Sequence, residues 1–345
     1  MEDKIQKIPK NLLNKEYIKK LFNSKIKDIN IDAKNISEII VYPIKERYNK
    51  RNFHLVIMYN LILNTKNKLQ KKCKVVCSAH SSKSRKKMFE AMELIYKKGF
   101  DKGQITLPKP LWYITDLKSI FYIGIEGHNI LENIKKGKDV FINLKRSAEF
   151  LAKLHQIKIP KKINLEKYFF DWKFLDPANI LNLPKNKKNP LVKQIYKQYK
   201  MIKEKFKEVN KIKGELSHGD FHLENILIPK GEHEKITILD FSEVCIAPFT
   251  YDIGSFLQQL HFMSFGYVSN ETYQTWKGEI LNDYLKIRKI KLNQNIINQI
   301  NLFRAWLALR SAIYFLGFDV DNEINPDFLV KQVNYYLNLF NKNEI

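Results

Sequence analysis

Hydrophobic and polar positions change their rhythm several times along this chain. Leu12, Leu13, Tyr17 and Leu21 recur at helical spacing behind Pro9, which predicts an opening helix from Pro9 to about Phe22. The texture then turns β-rich. ISEIIVYP at 36–43, NFHLVIMYNLIL at 52–63 and KKCKVVCSA at 71–79 read as strands, the last two joined by the polar turn NTKNK, and together they predict a small antiparallel sheet. Met88, Met92 and Ile95 fall at i, i+4 and i+7, predicting a helix that Gly99 ends. After Pro108 and Pro110, SIFYIGIEG at 119–127 reads as an edge strand running into a turn.

Beyond that point helical spacing dominates. Leu144, Ala148, Leu151 and Leu154 define a helix over 143–157. The lysine-rich stretch 160–213 opens as a loop and continues as a helix capped by Asn189 with Pro190 in its first turn, turning Ile195, Tyr199, Ile202 and Phe206 inward. Three more amphipathic helices are expected at about 271–287, 295–316 and 326–341, the last begun by Asn325 and Pro326. The reading is an α+β chain of two lobes. Residues 1–124 form an N-terminal lobe of helix, antiparallel sheet and one further helix, and residues 125–345 form a mainly helical C-terminal lobe. A cleft between lobes is the natural ligand site.

Composition narrows the function classes. With 44% hydrophobic, 12% aromatic and 28% charged residues the chain is neither disordered nor fibrous. The longest apolar run, VIMYNLIL at 56–63, is far short of the roughly 18 to 20 residues of a membrane span. The start, MEDKIQKIPK, lacks the apolar core of a signal peptide. Cys73, Cys77 and Cys245 make no even framework and no CxxC pair, so a reducing, cytoplasmic setting is expected. The net charge of +24 admits polyanions as partners. Yet only seven of the sixty cations are arginine, and the 53 lysines are spread along the whole chain, as in a solvated surface that binds nucleic acid nonspecifically at most.

The chemistry concentrates in His218-Gly219-Asp220-Phe221-His222-Leu223-Glu224-Asn225, a polar loop (218–225) followed by the apolar strand start Ile226-Leu227-Ile228, with Asp240 at the end of the next strand. A carboxylate that takes a hydroxyl proton, with oxygen donors for magnesium on ATP phosphates, is what phosphoryl transfer needs. The chain resembles the aminoglycoside phosphotransferase and choline kinase family, whose catalytic loop reads HGDxHxxN and whose metal aspartate lies in an LDF or IDF segment. The resemblance extends to FLAKLHQI, with Leu154 and His155, and to APFTYDIGSF. It implies a two-lobed protein-kinase-like fold and ATP- and Mg2+-dependent transfer of the γ-phosphoryl group to a hydroxyl of a small molecule: an amino sugar, amino alcohol or sugar. In the family's terms Asp220 is the catalytic base, Asn225 and Asp240 are metal ligands, His218, Gly219 and His222 frame the loop, and Asp252 braces it.

The nucleotide lobe departs from the family pattern. Glu90 is placed as the helix glutamate that pairs with a strand lysine, but aligning backward from it puts Ser78 where that lysine belongs. Lys74 shares a strand face with Ser78, and Lys72, Lys83 and Lys86 are near in sequence, so a displaced lysine is one reading. Glu90 paired with Lys86 on the surface is the other. Backbone groups of Ile123 and Ile125, with Gly124 between, are the candidates for adenine recognition. For the acceptor, Trp306, Tyr314, Phe315 and Phe318 are read as an aromatic wall, with Asp319, Asp321 and Glu323 as its negative charge. Two alternatives stay open: a catalytically reduced nucleotide-binding regulator, because of Ser78, and a polyanion-binding protein, because of the +24.

Overall fold

The structure, a computed structural model, describes residues 2–48, 52–81, 85–168, 178, 181–183, 186, 189–209, 213–317, 326–342 and 344–345. It divides into two compact units: Met1–His128 with Pro160–Asn164 and Leu227–Ser242, and Asn129–Ile159 with Leu165–Ile226 and Glu243–Ile345.

In the first unit the chain opens with α1 (Glu2–Leu13), α2 (Lys15–Asn23) and α3 (Ile26–Ile29). The single helix expected here is broken at Asn14, whose side chain accepts from the Tyr17 N–H at 2.8 Å and so caps a new helix. Strands β1 (Ala33–Tyr48), β2 (Phe53–Thr65) and β3 (Gln70–His80) follow, then α4 (Arg85–Ile95), β4 (Ile105–Thr106), β5 (Pro110–Ile114), β6 (Ser119–Ile123) and β7 (Gly127–Asn129). A five-stranded antiparallel sheet has the order β1-β2-β3-β6-β5. Along β2 every second residue from Phe53 to Thr65 is buried, the period of a strand with one face on a core. The opening helices cover that face: Phe22 packs edge-on against Tyr59 and Phe121, and the Tyr59 hydroxyl donates to the Leu12 carbonyl at 2.8 Å. The opposite face carries Asn60, Lys74 and Ser78.

Two sequence expectations change here. The 119–127 segment is not an edge: β6 lies between β3 and β5, because Pro110 opens a strand instead of only breaking one. The expected boundary at 124/125 moves to 128/129, and 227–242 groups with the first unit rather than with the helical part. The cause is a second sheet of order β4-β10-β9-β7, with β9 (Ile226–Pro229) and β10 (Ile236–Ile238). In it Ile236 and Thr237 run parallel to Ile105 and Thr106, and the two threonine hydroxyls are 2.9 Å apart. Asp240 therefore travels with the first unit.

The second unit is helical: α5 (Ile130–Lys135), α6 (Phe141–Leu154), α7 (Leu191–Val209), α8 (Phe249–Met263), α9 (Asn270–Arg288), α10 (Gln294–Gly317) and α11 (Pro326–Lys342), with the short antiparallel pair β8 (Glu215–Ser217) and β11 (Cys245–Ala247) beside them. Its core gathers around α10, where Trp306, Leu309 and Ile313 meet Ile195, Ile202 and Phe206 of α7 and Val333 and Tyr336 of α11. Among the described residues no helix is long and apolar enough to cross a membrane.

Candidate active site

The loop HGDFHLEN leaves β8, makes a single 3-10 turn over Leu223–Asn225 and enters β9. Its apolar residue anchors it. Phe221 is fully buried between the rings of Phe150 and Phe256, with centroids 5.5 and 5.0 Å away, so the polar residues on either side are carried on a fixed point. Asp252, in the first turn of α8, holds the other side: Oδ2 accepts from the His218 N–H at 2.7 Å and Oδ1 from the Gly219 N–H at 3.0 Å. Gly219 sits at φ +85, and a Cβ there would lie 2.0 Å from the Glu243 carbonyl oxygen, so glycine answers both a conformational and a steric demand. The Tyr251 hydroxyl donates to the Gly219 carbonyl at 2.9 Å.

Behind Asp252 lies a buried polar chain that the sequence does not announce. His155 Nε2 is 3.1 Å from Asp252 Oδ2, His155 Nδ1 is 2.7 Å from the Tyr284 hydroxyl, and that hydroxyl accepts from Arg288 at 3.1 Å. Arg288 then forks onto both oxygens of Glu215 at 2.8 and 2.9 Å, at the start of β8. The fork ties β8, the strand that feeds the loop, to the end of α9, whose Tyr284 reaches Asp252 through His155.

Asp220 stands half-exposed at the front of this frame, its carboxylate 3.7 Å from His222 Nε2. Burial opposes its ionisation, but the His222 side chain, Arg310 and His218 outweigh burial and hold the carboxyl below its ordinary value. The Asn225 amide nitrogen donates to the Asp220 carbonyl at 2.9 Å and lies 3.0 Å from His222 Nε2, so the side chain is held against the loop through its nitrogen. Asp220, His218, Gly219, His222, Asn225 and Asp252 are thus brought together within the second unit. Arg310 was missed in the sequence; the signal available was the scarcity of arginine.

The remaining candidates belong to the first unit. Asp240 is exposed, at φ +54, and its Oδ1 accepts from the Ser242 N–H at 3.1 Å, the local bond that lets an aspartate occupy left-handed backbone. Ser78 is buried on β3, opposite Val56 and Ile120. Lys74 is not brought to Glu90: its ammonium pairs with Glu126 at 2.8 Å, while Glu90 lies 3.8 Å from Lys86. Lys83 lies outside the described residues. The nearby cation is instead Arg85, buried at the start of α4, whose charge acts on His54, Tyr122 and Cys77, three groups on the strands around Ser78. Beside them a cavity of about 580 Å³ is lined by Ile40, Asn60, Ile62, Lys74, Ile123 and Gly124. The Ile123 N–H is spent on the Lys109 carbonyl at 2.9 Å, and Ile125 is exposed.

The expected aromatic wall is not one surface. Trp306 is 1% exposed and donates to the Tyr168 hydroxyl at 3.0 Å, and Phe315 packs on the same core, leaving Tyr314 exposed. Helical spacing on α10 serves the core here. Phe318, Asp319, Asp321 and Glu323 lie outside the described residues.

Comparison with known proteins settles the family. The sequence profile of the phosphotransferase enzyme family matches residues 68–288, well over half of the chain. The chain belongs to that family. It is a phosphotransferase enzyme with a protein-kinase-like fold. No curated protein sequence matches it. Among solved structures it is similar to a choline kinase of Cryptosporidium parvum, at TM-score 0.59 and 14% identity over 96% of this chain and 95% of that one. It is also similar to a spectinomycin phosphotransferase solved with ADP and spectinomycin, at TM-score 0.57 and 15% identity over 94% and 95%. A choline kinase of Streptococcus pneumoniae aligns at TM-score 0.56 and 11% identity over 94% and 99%. Identities this low speak for the fold alone.

Proposed function

We propose that this phosphotransferase is a small-molecule kinase, transferring the γ-phosphoryl group of ATP to an acceptor hydroxyl. The observation that carries the reading is Asp220, a half-exposed carboxylate kept ionised by His222 on a loop immobilised by Asp252 and Phe221. Such a group orients an acceptor hydroxyl and takes its proton as the phosphoryl group transfers, a role worth roughly 10² to 10⁴ in rate.

The donor set fits magnesium. Asn225, just before β9 in the second unit, and Asp240, after β10 in the first, would supply an amide oxygen and a carboxylate, hard donors of the kind magnesium takes. Held by these donors, Mg2+ would supply charge neutralisation on the phosphates. On the nucleotide side, the cavity lined by Ile40, Ile62, Lys74, Ile123 and Gly124 takes the base, and Arg85 takes the place of the strand lysine absent at Ser78. The acceptor is a small hydroxyl compound rather than nucleic acid. The setting is cytoplasmic, a reading supported by three free cysteines, two of them buried.

ATP turnover across a panel of amino alcohols, amino sugars and sugars, compared among the wild type, Asp220→Ala and Asp240→Ala, tests the proposal. Loss of turnover in both variants is expected; equal activity in all three proteins overturns it. A second reading, nucleotide binding without transfer, is favoured by the engagement of Lys74 with Glu126, and Mg-ATP stabilisation without turnover on any acceptor would select it.

A further inference from the structure

Six of the seven arginines fall on described residues, and two of those in the second unit have visible occupations. Arg304, fully buried, donates to Asn301 and to the Tyr273 hydroxyl and lies over the Tyr336 ring. Arg288 forks onto Glu215. Arg310 differs. It is half-buried on α10, and among the described residues it makes no hydrogen bond and no ion pair. Five N–H donors in a fixed fork are thereby held in a half-buried position where, among the described residues, none is used in a hydrogen bond, while Asp220 and Glu243 act on the charge only from a distance.

Its place is fixed by its neighbours. One turn before it, Trp306 donates to the Tyr168 hydroxyl; the Tyr168 ring lies 4.2 Å from the Tyr251 ring; and Tyr251 donates to the Gly219 carbonyl, next to Asp220. One turn after it, Tyr314 is exposed. The guanidinium therefore faces the Asp220 side of α10, where Asp220, Glu243, Tyr168 and Tyr251 feel its charge. All of these residues belong to the second unit.

We infer that Arg310 binds an anionic oxygen group of the acceptor beside Asp220, so that this enzyme phosphorylates hydroxyl compounds carrying a carboxylate or phosphate. The inference rests on the phosphotransfer reading above. A planar fork matches a carboxylate or phosphate in two hydrogen bonds, and the same charge repels an ammonium group placed near it.

Matched acceptor pairs test it: ethanolamine and serine, propanolamine and homoserine, glycerol and glycerophosphate. The first two pairs read a carboxylate and the third a phosphate. The charged member of at least one pair is expected to have the lower KM. Arg310→Gln is expected to raise that KM by about 10- to 100-fold, and by more than it raises the KM of the uncharged partner, with part of the loss recovered in Arg310→Lys. Preference for the uncharged or cationic member of every pair overturns the inference. So does an Arg310→Gln variant that loses kcat equally on both members with KM unchanged, which would assign the guanidinium to the transferring phosphoryl group or to the loop. If no acceptor turns over, the phosphotransfer reading is what fails; calorimetric binding of the same pairs then decides the charge preference, and equal affinity within every pair overturns it.

Discussion

The Asp252 carboxylate and the main-chain N–H of His218, 34 positions apart in sequence, meet at 2.7 Å in the interior of the helical unit. Because the second carboxylate oxygen takes the Gly219 N–H, one side chain satisfies two consecutive buried donors of the catalytic loop. An asparagine of the same shape offers one acceptor and turns an NH2 toward the other N–H. Asp252→Asn is therefore expected to strand a buried donor, at about 1–3 kcal/mol. Thermal unfolding should show a lower Tm and ATP turnover a reduced kcat. A variant that keeps both would show that the loop is held elsewhere.

Gly219 carries a sharper demand. Alanine at φ +85 costs about 1–2 kcal/mol in left-handed backbone, and its Cβ would stand 2.0 Å from the Glu243 carbonyl, a backbone atom that has no rotamer to escape into. Gly219→Ala should displace the loop and lower kcat by about 10²-fold, the loss that a displacement near 1 Å brings. Gly137, also at positive φ but with no atom within 4 Å of the place a Cβ would take, is the control: alanine there should leave kcat as in the wild type.

How much of this was legible beforehand follows from range. The catalytic loop reads directly from the sequence because its residues are contiguous, and HGDFHLEN carries its own strand on either side. The helices announce themselves through local periodicity, as Ile195, Ile202 and Phe206 do on α7. What depends on distant partners does not read out. Nothing local marks Pro110 as the start of a strand that covers β6, or Thr237 as the partner of Thr106, and these two pairings correct both the edge assignment and the boundary. Trp306 fails differently: a stripe at helical spacing looks the same whether it faces a ligand or a core, and here it faces the core. Arg310 carries no motif at all, only the rarity of its type in a lysine-rich chain.

The pH dependence should belong to Asp220. Its carboxyl is held below the ordinary range despite burial, chiefly by His222, so the base stays ionised into acid solution. In His222→Phe the largest of the opposing influences is gone, leaving Arg310 and His218 against burial, and the carboxyl moves upward. The acid limb of kcat/KM is expected to shift to higher pH in the variant. The sign for stability follows the same linkage: a carboxyl depressed in the folded state stabilises above its unfolded value, and that contribution is lost as pH falls through the folded one. An acid limb unchanged by the substitution would assign it to another group.

Ser78 invites the opposite experiment, the restoration of a lysine. The serine is 6% exposed on β3, between Val56 and Ile120, on strands whose other groups already feel the Arg85 charge. A lysine added there brings a second cation into a partly desolvated place without adding a carboxylate, since Glu90 faces Lys86. Like charges in that setting repel more strongly than in water. Ser78→Lys alone is therefore expected to lower Tm and leave the KM for ATP no better than in the wild type. Arg85→Met should raise that KM more than the Kd for adenosine, because only ATP presents phosphates to a guanidinium. Combining the two substitutions should recover much of the loss, with one cation exchanged for another. If Ser78→Lys by itself improves turnover, the wild-type lobe lacks its cation and Arg85 does not replace it. If Arg85→Met weakens ATP and adenosine alike, Arg85 serves packing rather than phosphate, and the double variant should then stay as impaired as the single one.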